Sequence, residues 1–155
     1  MKSSNMKNIS IPQAGLILRV ALGIAMLSAV ADRFGLWGPP GTPGVSWGNW
    51  ENFIIYTEQL NSFAGKSIAE VLGSLATLLE IVFAILLIIG YKIRLASLGT
   101  CILMLFFATA MAISSSIKAP LDYSVLTSAA AALLLSAIGT TSFALDNKLK
   151  VTRVE

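Results

Sequence analysis

The stretch ATLLEIVFAILLIIG, residues 76–90, decides the class of this chain. It reads as hydrocarbon from end to end, except for one acid, Glu80. An ionised carboxylate inside a membrane is costly, and such residues face a partner or carry a function. The rest of the sequence has to supply one or the other.

The composition agrees with a membrane setting. Of 155 residues, 55% are hydrophobic and 12% charged, and the mean hydropathy is +0.78. Soluble domains carry about 25% charged residues. The net charge of +3 comes without a basic patch interleaved with aromatics, so nucleic acid is not expected as a partner. There is no histidine, which excludes bis-histidine haem and the usual histidine-based metal sites; no metal is expected. A single cysteine, Cys101, excludes an internal disulfide and a dithiol relay within one chain.

A membrane-spanning helix needs about 20 mostly apolar residues. Four stretches qualify: roughly 13–33, 68–90, 93–114 and 122–144. None has an interior proline or the alternation of a barrel strand. The first stretch also has signal-peptide features, basic residues ahead of it and AVA near its end, but Arg19 interrupts its apolar run. The expected fold is all-α: one domain over 1–155, an integral membrane four-helix bundle running up-down-up-down. Lys2, Lys7, Lys92, Arg94, Lys148, Lys150 and Arg153 fall on one side, and Arg33, Lys66 and Lys118 on the other. The richer side is expected to be cytoplasmic, with both termini inside and the chain in the plasma (inner) membrane.

The segment 34–67 is then an extracytoplasmic cap. Its first part, FGLWGPPGTPGVSWGNW (34–50), is dense in Gly and Pro and holds all three tryptophans, Trp37, Trp47 and Trp50. Gly and Pro mark turns, and tryptophan prefers the headgroup level. Asn49 is a candidate N-cap for an amphipathic helix in 49–63, whose Trp50, Phe53, Ile54, Thr57 and Leu60 share one face. The cap serves as membrane anchor and lid, or as a docking surface.

For Glu80, the nearest candidate counter-charge is Arg19 in the first span. At 1.5 Å per residue the two lie roughly 10 and 15 Å from the same side. A buried Arg19–Glu80 pair is expected, either locking the bundle or forming a ligand or proton site. A second polar group gathers towards the outer surface: Asp32, Arg33, Glu70, Thr77, Lys118, Asp122 and Tyr123. Glu70, Gly73, Thr77, Glu80 and Ala84 recur at helical spacing, as do Arg19, Gly23, Met26, Val30 and Arg33. If the two stripes face each other, a narrow polar crevice opens outward.

LRVALGIAMLSAVADRFG, LLEIVFAILLIIGYKIRLASLG and DYSVLTSAAAALLLSAIGTTSFALDN together resemble the DoxX family of small four-span membrane proteins. The resemblance rests on Arg19 early in the first span and on Glu80 in the second, followed by Gly90, Lys92 and Arg94. Asp122 opening the fourth span and the terminal Gly139, Leu145 and Asp146 complete it. The outer loop is longer than in the family's short version. The family includes the small subunit of a thiosulfate:quinone oxidoreductase, a subunit linked to thiol and superoxide detoxification, and assembly factors. The resemblance thus implies a redox-associated subunit binding quinone or a small sulfur compound in the crevice, with no cofactor held by the chain alone. An accessory or assembly factor holding a membrane or extracytoplasmic protein is the alternative. A small transporter is less expected, because transporters use broken helices.

Overall fold

The computed structural model describes residues 9–63, 65–139 and 141–151; Lys2, Lys7 and Arg153 lie outside them. The described residues form seven helices and no strand. Helix α1 (Ile11–Arg33) starts at Ser10, whose N–H donates to Gln13 Oε1 at 3.0 Å, with Pro12 in the first turn, where a missing N–H costs nothing. Helix α2 (Trp50–Leu60) is capped as expected: the Asn49 side chain accepts the Asn52 N–H at 2.8 Å. Helices α3 (Gly65–Ile89) and α4 (Ile93–Ser114) follow, then the single turn α5 (Lys118–Asp122), α6 (Val125–Ile138) and α7 (Leu145–Val151).

Three helices, α1, α3 and α4, are long and apolar enough to cross a membrane. The stretch expected as a fourth span is divided. Ser124 takes a left-handed conformation (φ 55°) before α6, and Gly139 (φ 67°) ends it. The 14 residues between them rise about 21 Å, short of a bilayer core of about 30 Å. The chain past Gly139 instead folds back on α1, where the Ser142 N–H donates to Pro12 O at 3.0 Å.

Helix α3 packs on α1 and α4, and α6 packs on α4 and α1, so the four close a ring. Leu87, Ile93, Ala96, Ala132 and Leu135 fill its centre. Ile17, Ile85, Ile102, Phe106 and Leu134 are exposed around it, as suits helices solvated by lipid rather than water. Lipid offers no apolar driving force for helix pairing, so small residues must let backbones approach. Gly23 does this for α1 and α3: a Cβ there would lie 2.7 Å from the Ile88 side chain and 3.0 Å from Ala84 O. Gly23→Val is expected to force these helices apart and destabilise the protein by about 1–3 kcal/mol, read as a lower midpoint in detergent unfolding. An unchanged midpoint would mean that the contact carries no load.

Candidate functional site

Helix direction settles which arginine meets Glu80. Side chains on a helix lean towards its N-terminus. Helices α1 and α3 run in opposite directions: Arg19 meets the chain at residues 87–88, whereas Arg33 meets it at 77–80. Glu80 therefore leans towards the capped end of the bundle, and Arg19 leans away from it. The expected Arg19–Glu80 pair does not form.

Glu80 pairs instead with Arg33, the last residue of α1, whose side chain descends into the bundle. Both side chains are 3% exposed. The same guanidinium nitrogen donates to Thr77 Oγ1 at 2.7 Å, and Thr77 Oγ1 itself donates to Gly73 O. Over the pair lie two aromatic rings. The Arg33 guanidinium carbon sits 4.2 Å from the Phe53 ring centre and 5.4 Å from that of Trp47, a placement that attracts a cation to the ring faces. Trp47 in turn meets Phe53 edge-on, and Trp50 stacks on Phe34. Thus the cap is bonded to the charge beneath it.

Arg19 is 1% exposed and has a different task. Its guanidinium donates to Leu87 O and Ile88 O, both at 2.6 Å, and to Phe143 O at 2.8 Å and Ser142 O at 3.3 Å. The first two are carbonyls of the last turn of α3, which carry the negative end of the helix dipole; Leu87 O also accepts the Gly90 N–H at 3.2 Å. Arginine thus ties α1 to α3 and to the segment after α6. Gly90 (φ 72°) makes room: a Cβ there would meet Ala144 Cα at 2.7 Å.

Asp32, facing the other flank of α1, organises the loop. Its carboxylate accepts the N–H groups of Ser46, Trp47 and Gly48 at 2.8, 3.3 and 3.1 Å. Trp37 is pinned by its indole N–H, which donates to Ser28 O at 3.0 Å. The remaining crevice residues do not converge. Glu70, Asp122 and Tyr123 are exposed, and Asp122 pairs with Lys118 on the surface. The inward position on the α3 stripe belongs to Ala69 rather than Glu70. Tyr56 on α2 lies near Tyr123, and burial, with that second phenol, pushes its own phenol up. The polar stripes face each other as expected, but the open crevice is replaced by a closed, roofed ion pair.

Asp146, named above only for the resemblance, has a structural role that the sequence did not show. Asp146 accepts the N–H groups of Lys92 and Ile93, at 2.8 and 3.0 Å, and so caps α4 from the far end of the chain. Spacing along the sequence could not have shown that contact. Among the described residues, no cluster of histidine, cysteine or carboxylate could hold a metal.

Fold and site together define a membrane helical bundle with an aromatic cap and an internally paired charge core. The chain belongs to the DoxX family, whose model matches residues 14–113, from α1 through α4. No curated protein and no solved structure gives a significant match.

Removing either partner of the buried pair leaves the other uncompensated, at a cost of about 3–5 kcal/mol. Arg33→Met and Glu80→Leu are each expected to lower the detergent melting midpoint strongly, and the double variant to recover most of the loss. Additive losses would show that the two residues do not act as a pair.

Proposed function

We propose that this DoxX-family protein is a redox-associated accessory subunit, which holds a partner protein at its capped end and does not itself carry the electrons. One observation carries this reading: the buried charged groups are engaged within the fold. Glu80 is held by Arg33, Arg19 by carbonyls, and Asp32 by loop N–H groups. No histidine or second cysteine is available for haem ligation or dithiol chemistry. At the capped end the chain instead presents Leu36, Phe63 and Tyr123, between 74% and 88% exposed. We read these exposed groups beside the aromatic cap as the interaction surface. The redox association rests on family membership. Quinone or a sulfur compound then belongs with the partner or at the junction, because Trp47 and Phe53 close the route to the Arg33–Glu80 pair.

Purification from native membranes in mild detergent tests this. A stoichiometric partner is expected, and Leu36→Glu with Phe63→Glu should release it while the melting midpoint stays unchanged. Stoichiometric quinone on the isolated chain, displaced by Trp47→Ala, would overturn the reading.

We place the chain in the inner membrane as a multi-pass protein with four crossings, α6 and the residues flanking it making the last, and with both termini cytoplasmic. The placement of lysine and arginine supports this orientation. Cys101 is buried, so the native chain offers a low labelling background. An impermeant maleimide on intact cells should label Glu51→Cys, and Asn147→Cys only after lysis. The reverse pattern would invert the topology.

A further inference from the structure

A groove of about 530 Å³ lies between the outer flank of α1 and the loop folded over it. This size falls within the range of about 300–1,000 Å³ typical of small-molecule sites. Ala25, Ser28, Ala29 and Asp32 line it from the helix, and Trp37 and Ser46 from the loop. The spacing of Ala25, Ser28 and Asp32 places them on one flank of α1, beside Ile24, which is 57% exposed. Ala25 is itself exposed, so the groove opens onto the outer face of the helix.

The two ends of the groove differ chemically. Towards mid-membrane it is floored by alanine. Towards the cap it ends at Asp32, which is only 6% exposed. Among the described residues no cation pairs with this carboxylate. It accepts three N–H bonds, and a carboxylate offers about four lone-pair sites, so one acceptor position stays open. Asp32 also lies in the last turn of α1, where the carbonyl dipoles add negative potential. An acid at a helix C-terminus without a counter-ion calls for a cation, and lipid supplies one in only a few forms.

We propose that this groove binds a membrane lipid with a primary-ammonium headgroup. Its ammonium docks on the Asp32 carboxylate, its phosphate accepts from the Ser28 and Ser46 hydroxyls, and an acyl chain lies along Ala25 and Ala29 beside the Trp37 ring. The site uses none of Leu36, Phe63 and Tyr123, and its lipid readout does not depend on partner binding.

The full chain, reconstituted in vesicles of equal parts phosphatidylethanolamine and phosphatidylglycerol and re-extracted in mild detergent, provides the test, with co-purifying lipid quantified by mass spectrometry. Phosphatidylethanolamine should be enriched over the vesicle ratio by about threefold. Ala29→Leu, which fills the groove without touching the loop hydrogen bonds, should return the ratio to that of the vesicle. Asp32→Asn should abolish the headgroup preference. Should that variant fail to fold, the wild-type lipid ratio and Ala29→Leu decide the matter alone. Enrichment of phosphatidylglycerol, an unselective ratio in the wild-type protein, or enrichment that survives Ala29→Leu would each overturn the proposal.

Discussion

The bilayer core contains no water, so each charge placed in it needs a partner from the same chain. Arg33 and Glu80 satisfy one another under that constraint, and much of the architecture follows from their contact. The pair holds the end of α1 against the middle of α3. Because α1 stops there, α3 extends beyond it, and α2 fills the space by packing Phe53 and Ile54 against Gly73. The guanidinium then presents its face to Phe53 and Trp47, so the same charge that joins two helices also seats the cap. Three elements thus meet at one contact.

The second arginine obeys the same constraint by another route. Arg19 has no carboxylate, yet the terminal carbonyls of α3 and those of Ser142 and Phe143 surround it. The α3 oxygens lie in its last turn, where helical partners run out. One arginine thus closes the capped end of the α1–α3 seam and the other closes the opposite end. In this way both buried arginines are engaged within the fold. The proposed partner and lipid binding rest on two other features, the aromatic cap and the groove beside Asp32.

Much of this was legible from residue order alone. Long apolar runs define α1, α3 and α4 within a few residues, because a helix is the only open way to satisfy backbone groups in lipid. Asn49 and the apolar face of α2 were readable from local capping chemistry and periodicity. Glu80 was correctly singled out as an acid that needs a partner, and Arg19 as buried. The break at Ser124 and Gly139 was not readable, since small residues in an apolar run carry no strong stop signal. The identity of the Glu80 partner also escaped a count of depth along the helix axis, which treats side chains as level with their own Cα atoms.

The sequence by itself determined the membrane class, the helical content, the aromatic cap and the presence of buried charges needing compensation. These follow from composition, from periodicity and from the cost of desolvating a charge, all properties of a residue and its near neighbours. Only the tertiary structure decided which charges meet. Opposed helix directions turn Glu80 towards Arg33 and send Arg19 to the carbonyls at the far end of α3. The same packing folds the loop over Asp32 and brings Asp146 to the start of α4. Those contacts depend on the lean of side chains and on segments far apart in the chain, and neither is written in any local stretch.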